Sequence, residues 1–293
     1  MAPFDFTGEV AIVAGAGSRL PGEIGNGRAT AILLARQGAK VALLDINEDW
    51  ANETKRMIDL EGGTSVVIRT DVTDSESCRA AVATTVAHFD NSPVHILVNV
   101  VGVGGAMGDA TTVDLAAWDR DMRINVTSVV LMARHVIPEM RRIGRGGGGG
   151  GGVIVNMSSV SGLLGGNPSL LYPTSKGAIV QMTRAMAAQH GEEGIRVNCV
   201  CPGMVYTPMV RRGGGMSEEM RQARRNQNML KTEGTAWDVG YAVLFLCSKE
   251  AKWITGLIMP VDGGTTAGKS VSDRPALKAD VLAEEMTGIP NSA

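Results

Sequence analysis

The chain has 293 residues, 44% of them hydrophobic and 20% charged, with a formal net charge of −2. This length and composition fit one α/β domain with a sizeable core and exclude disorder as the overall state. A charge this close to neutral offers no broad field to nucleic acid or an anionic membrane, so neither is expected as a partner.

The four cysteines, Cys78, Cys199, Cys201 and Cys247, make no CxxC pair and do not cluster with the four histidines. Buried thiols in a reducing compartment are expected, and no metal site. Residues 1–6 lack a basic stretch followed by an apolar one, and no apolar run reaches the ~18 residues a membrane helix needs. A cytoplasmic protein is the expectation.

Short apolar runs alternate with helical stretches along the chain. The pattern predicts a strand over 10–14, a helix over 27–37 ended by Gly38, a strand over 41–44, and a helix over 49–60 stopped by Gly62-Gly63. A third strand over 65–69 leads into a helix over 75–89, and a fourth strand lies at 96–98. A long helix over about 115–143 precedes strand five at 153–156. A helix over 172–192, a sixth strand at 196–200 and a last strand at 258–261 follow. Continuous apolar strands alternating with helices imply a single doubly wound parallel sheet with helices on both faces. Two segments break the rhythm. The glycine run at 146–152 reads as a flexible surface connection. A tail over 268–293, beyond a domain ending at 267, carries an amphipathic helical stretch at 275–286 suited to docking on the same or a neighbouring subunit.

Ala14-Gly15-Ala16-Gly17-Ser18-Arg19 directly follows strand one, and Gly25-Asn26-Gly27 directly precedes helix one. Glycines there let the backbone turn tightly and approach a pyrophosphate, while the helix N-terminus offers free N–H groups and a positive dipole end. Strand two ends at Asp45, followed by Ile46, and Asp45 lies 20 residues after Gly25. A carboxylate at that separation accepts hydrogen bonds from ribose hydroxyls and repels a 2′-phosphate, which favours NAD over NADP. Arg19 is the basic residue in the loop able to tolerate such a phosphate.

Tyr172 and Lys176 stand four apart in a predicted helix and so share a face. A free phenol, with a pKa near ~10, is a poor base at neutral pH; a neighbouring ammonium favours the phenolate and makes it a tuned general acid/base. Taken alone, a YxxxK spacing also suits an ordinary helix surface pair.

With these segments in order, the chain resembles the short-chain dehydrogenase/reductase family over about residues 7–264. The further motifs that carry the likeness are Asp71-Val72 after strand three, Asn99-Val100-Val101-Gly102, Asn125 in the long helix, Ser158-Ser159-Val160-Ser161-Gly162, Pro202-Gly203 and Val261-Asp262-Gly263-Gly264. The resemblance implies a Rossmann fold and a hydride transfer between NAD(H) and a secondary alcohol or its ketone. It implies a catalytic set of Asn125, Ser159, Tyr172 and Lys176. Ser158, Ser159 and Ser161 are all candidates for the serine; Ser159 stands 13 residues before Tyr172, the separation family members show. Its hydroxyl would hold the substrate oxygen while Tyr172 moves the proton. Lys176 would also bind the nicotinamide ribose, and Asn125 would hold a water linking Lys176 to solvent. Cofactor contacts are expected from Gly15, Ser18, Arg19, Gly25, Asn26, Gly27, Asp45, Ile46, Asp71, Val72, Asn99, Val101, Gly102, Tyr172, Lys176, Pro202 and Gly203. The Val205 backbone and the Thr207 hydroxyl would hold the carboxamide.

The loop departs from the family pattern. Ala14 replaces a threonine, and nine residues separate Gly15 from Gly25 where three are usual. Gly25-Asn26-Gly27 then supplies the GxG, or Gly22 and Gly25 do. Val100 and Val101 replace the second asparagine and the alanine of an NNAG turn. Residues 208–232, with Arg211-Arg212, Gly213-Gly214-Gly215 and a polar helix at 217–228, should form a mobile substrate lid. A wall built from 103–107, 163–168, 202–206 and Met209 is mostly apolar and suits a hydrophobic or alicyclic alcohol. Family members form dimers or tetramers through the long helices, and Met132, Val136 and Met140 have suitable helical spacing. The rival readings are an NADPH-dependent ketoreductase of a biosynthetic pathway, a non-redox nucleotide-binding protein on the same fold, and a redox enzyme that has gained a further reaction.

Overall fold

The apolar runs pair side by side, each parallel to its neighbours, in a computed structural model that describes residues 4–144, 151–211 and 215–270. In chain order the strands are β1 (Val10–Ala14), β2 (Lys40–Asp45), β3 (Thr64–Arg69), β4 (Ile96–Asn99), β5 (Gly152–Met157), β6 (Ile195–Pro202) and β7 (Ile258–Val261). They lie in the order β3-β2-β1-β4-β5-β6-β7. The winding reverses between β1 and β4, which opens a crevice at their carboxyl ends, where such sheets bind ligands. Ala14 is level with Leu44 of β2 and with Asn99 of β4, so the three strands deliver their loops to one rim.

Side chains on β1 alternate between the two faces, as a strand's period of two requires. Val10, Ile12 and Ala14 join a core with α3 (Ser75–His88), α5 (Ser128–Gly144) and α6 (Leu171–His190). Ala11 and Val13 join the opposite core with α1 (Asn26–Arg36), α2 (Glu48–Leu60) and α8 (Ala236–Cys247). Each fully buried Val, Leu or Ile contributes about 1.5–3 kcal/mol, and both cores are built mostly from these residues and alanine. The doubly wound sheet with helices on both faces is therefore what the sequence pattern implies.

Four differences from that pattern have physical causes. The helix expected over 115–143 is interrupted: α4 (Leu115–Met122) runs into a π-helical turn, Arg123–Thr127, before α5 begins. The wider turn directs Asn125 inward, and such turns mark functional positions. Second, α8 was not legible as a helix, because its sequence is apolar almost all round and shows no single stripe. Third, Met132, Val136 and Met140 are each 0% exposed inside their own chain, packed on the sheet, so their helical spacing serves the core and no subunit contact. Fourth, the lid helix is shorter than 217–228: α7 is Glu218–Arg225, with Ser217 as its N-cap. Arg212, Gly213 and Gly214 of the lid, positions 146–150 of the glycine run and the helix expected at 275–286 lie outside the described residues. All four cysteines are buried and free.

Candidate active site

The crevice holds a cavity of about 560 Å³ whose wall begins at the loop after β1. The chain leaves β1 through Gly15, at φ +87°, and the N–H groups of Gly15 and Ala16 donate to the Leu44 carbonyl at 2.8 and 3.1 Å. α1 starts at Asn26 with Gly25 as its N-cap, and no side chain caps the first turn. Its free N–H groups and positive dipole end remain available to an anion. Ser18 Oγ and Asn26 Oδ1 are buried at this wall without a protein partner. Buried polar atoms are ordinarily paired, so these two fit a ligand with oxygens and hydroxyls.

Asp45 closes the adenosine end. Its Oδ2 accepts from the Gly17 N–H at 2.9 Å and its Oδ1 from the Asn47 N–H at 3.1 Å, which fixes the carboxylate at the cavity wall with lone pairs to spare. Ile46, Asp71 and Val72 line the same end. Asp71 turns its Oδ1 to Thr73, accepting from both the N–H and the hydroxyl, so its side chain shapes its own turn. Trp50, Arg120 and Arg123 also line the cavity and were not read from the sequence. The Arg19 guanidinium lies 6.0 Å from the Trp50 ring centroid. Nothing in the local pattern around Trp50 marks it, because its place depends on how α2 packs on the glycine loop.

At the other end the active-site helix α6 presents Tyr172 and Lys176 one turn apart, with Lys176 Nζ 5.8 Å from the Tyr172 ring centroid. Lys176 is buried; its Nζ donates to the Met157 carbonyl at 3.0 Å, and burial pushes its pKa down to about 8. Ser159 follows β5 and lines the cavity with Tyr172, close enough to act on the phenol's ionisation. Its Oγ accepts from the Ser161 N–H at 3.2 Å. The choice among the serines is geometric. Ser158 Oγ is committed to the Lys176 carbonyl at 2.7 Å, and Ser161 lies off the cavity wall, whereas Ser159 lines it beside Tyr172.

One expectation changes here. Burial raises the Tyr172 pKa above its ordinary value; the nearby Ser159 hydroxyl opposes this, and burial prevails. In this state Lys176 Nζ is turned to the Met157 carbonyl. Asn125, 0% exposed, donates Nδ2 to both the Val103 carbonyl and Ser175 Oγ at 3.0 Å, while its Oδ1 accepts from the Val103 N–H at 2.8 Å. Both amide hydrogens are taken by protein, so the side chain clamps the loop after β4 to α6.

Gly102 and Val101 line the cavity, and a β-carbon on Gly102 would stand 3.1 Å from Lys176 Nζ. Pro202, Gly203, Val205 and Thr207 line it beyond β6. Asn99 does not. It is buried within the sheet, donating to Asn156 Oδ1 at 2.9 Å, and Asn156 in turn donates to Thr183 at 3.0 Å. Through Asn156, the Asn99 side chain ties β4, β5 and α6 together. Of the expected apolar wall, Val103, Pro202, Gly203, Val205 and Met209 face the cavity, joined by Met157, Pro208 and Val210, while 104–107, 163–168, Met204 and Tyr206 do not line it.

A cleft with an anion-binding loop at one end and a proton-exchanging pair at the other suits an extended dinucleotide and belongs to nucleotide-dependent oxidoreductases. A family model described as Enoyl-(Acyl carrier protein) reductase matches residues 23–266. The 2-(S)-hydroxypropyl-CoM dehydrogenase 3 of Xanthobacter autotrophicus is 36% identical over 249 residues, 84% of this chain and 94% of the relative. The cis-4-hydroxycyclohexanecarboxylate dehydrogenase of Sinomonas cyclohexanicum is 34% identical over 262 residues, 89% of this chain and 98% of the relative. A solved structure of 7α-hydroxysteroid dehydrogenase complexed with NADH and 7-oxo glycochenodeoxycholic acid aligns with a TM-score of 0.79 at 32% identity, covering 89% of this chain and 96% of that one. The chain belongs to the short-chain dehydrogenase/reductase family, and it is a nicotinamide-dependent oxidoreductase acting on small-molecule alcohols. Among the described residues no helix is long and apolar enough to cross a membrane.

Proposed function

We propose that this enzyme is an NAD-dependent dehydrogenase of a secondary alcohol with a hydrophobic or alicyclic body. One observation carries the reading: Ser159 and Tyr172 line the same cavity that has Asp45 in its far wall, with buried Lys176 one turn behind the phenol. When bound, the nicotinamide accepts or supplies the hydride. Ser159 Oγ and the Tyr172 hydroxyl hold the substrate oxygen, and Tyr172 takes its proton in oxidation or returns it in reduction. Lys176 supplies positive charge below about pH 8, when it is an ammonium, and stabilises the phenolate as it forms. Asn125 is a positioning residue that holds Val103 and Ser175.

Ser18, Asn26 and the open start of α1 would hold the pyrophosphate, and Asp45 the adenosine ribose, which supports NAD. Arg19 over Trp50 supports the second reading, an enzyme that also takes NADP. Met157, Pro208, Met209 and Val210 in the wall support an apolar substrate, as does the alicyclic substrate named for the Sinomonas relative. The proposal extends to a cytoplasmic homo-oligomer, a dimer or tetramer, supported by Trp253 at 97% and Tyr241 at 57% exposure. Light scattering tests the assembly. Secondary alcohols offered with NAD and with NADP, read at the nicotinamide absorbance, test the function. Cyclic alcohols oxidised with NAD are the expected result, and no turnover of any alcohol with either nucleotide overturns it.

A further inference from the structure

The long loop between Gly17 and Gly25 is firmly anchored on its inner side. Arg28, fully buried on α1, donates to the Glu23 carbonyl at 2.7 Å, the Trp50 carbonyl at 3.1 Å and Thr54 Oγ1 at 3.0 Å, and pairs with Glu53 at 2.7 Å. Glu53 in turn accepts from the Gly22 N–H at 2.6 Å. A guanidinium enclosed by this many acceptors fixes the backbone at 22–23. The Glu23 side chain then pairs with Arg211, which follows the cavity-lining Val210 in the loop after β6.

Arg211 follows the cavity-lining residues Thr207, Pro208, Met209 and Val210, and its N–H donates to the Thr207 carbonyl at 3.1 Å. Its guanidinium also lies 5.7 Å from the Tyr206 ring centroid, and the same ring receives Arg221 of α7 at 4.3 Å. Arg221 is itself bonded to the largely buried Glu233 at 2.6 Å. Charge and aromatic contacts thus run unbroken from the phosphate loop, through Glu23, Arg211, Tyr206 and Arg221, to the lid helix.

We propose that Glu23 is a positioning residue for cofactor residence: its ion pair with Arg211 straps the loop after β6 to the phosphate loop, and this strap opens before the dinucleotide leaves. The proposal rests on the nicotinamide reading of the cleft. Both side chains are more than a third exposed, so the pair contributes a modest barrier that salt screens.

The test is the release rate of NADH, followed by stopped-flow loss of nicotinamide fluorescence on displacement with excess NAD. Glu23→Gln and Arg211→Gln should each release NADH about two- to fivefold faster, and the double variant no faster than either. Raising salt should accelerate release from the unmodified enzyme and leave Glu23→Gln unchanged, with Glu23→Asp recovering part of the salt response. Melting temperatures should stay together, which separates the strap from a general loss of structure. Wild-type release rate and salt response in Glu23→Gln, or additive effects in the double variant, overturn the strap. Failure of the unmodified enzyme to bind either NADH or NADPH would instead overturn the cofactor reading, and the strap with it.

Discussion

Gly27 stands so close to Gly15 that a β-carbon on it would lie 1.9 Å from the Gly15 carbonyl oxygen. No carbon tolerates that approach, so α1 meets the phosphate loop only because position 27 is glycine. Gly22 is held at φ +72° with nothing within 4 Å of a β-carbon, so this glycine serves the backbone turn, and the packing reason belongs to Gly27.

Gly27→Ala should therefore push α1 off the loop and cost about 1–3 kcal/mol of stability, the usual result of overpacking. Gly25→Ala is the control. Its β-carbon would meet Ser18 Oγ at 3.8 Å, an ordinary contact, at a φ of −92°. Thermal melts compare them: a clear drop for position 27 and little change for position 25 are expected, and equal drops would refute the packing argument.

Tyr172→Phe keeps the ring beside Lys176 and removes only the hydroxyl, in the cavity that Ser159 also lines. Turnover should fall by about 10²–10⁴-fold, the range for a lost general acid/base, while NADH affinity stays within about twofold. Initial rates and a fluorescence titration measure the two. Retained turnover would move the reading towards a non-redox protein or another proton donor.

Asp45 holds two loop N–H groups as well as facing the cavity. Asp45→Ala removes both functions; Asp45→Asn keeps an acceptor and removes the charge. If charge sets the preference for NAD, both variants should lower the ratio of kcat/KM with NAD to that with NADP by about tenfold, equivalent to ~1.4 kcal/mol. An unchanged ratio in Asp45→Asn, with loss only in Asp45→Ala, would assign Asp45 to loop geometry.

The parts of the fold legible in the sequence are those where one local rule dominates. β1 is 0–1% exposed throughout and bounded by a glycine turn, so its apolar run reads directly as a central parallel strand. Tyr172 and Lys176 are legible because helical spacing alone joins them. α8 is apolar on most sides, and periodicity is silent there; the usable signal was its capping box, Thr235 with Asp238 three residues on. Asn99 and Asn125 show the opposite limit. Their motifs mark them as functional, but only the fold reveals that one ties strands together and the other clamps Val103. Trp50 and the Glu23–Arg211 pair join segments distant in sequence and carry no local signature at all.

Lys176 should make the cofactor-free protein less stable near neutrality than its methionine variant does. Burial pushes the Lys176 pKa down to about 8, and the Met157 carbonyl gives the ammonium one partner at 3.0 Å. An unfolded lysine holds its proton up to about 10.4. Between those values the unfolded chain binds more protons than the folded one, so stability rises with pH; the destabilisation is complete below about pH 8 and gone above about 10.5. Lys176→Met removes the titrating group from both states. The melting temperature of the variant minus that of the unmodified protein should therefore be larger at pH 7 than at pH 10, while turnover is lost at both. A difference that does not vary with pH would mean that the buried ammonium carries no desolvation cost, and Lys176 would then hold a full charge beside Tyr172 across the neutral range.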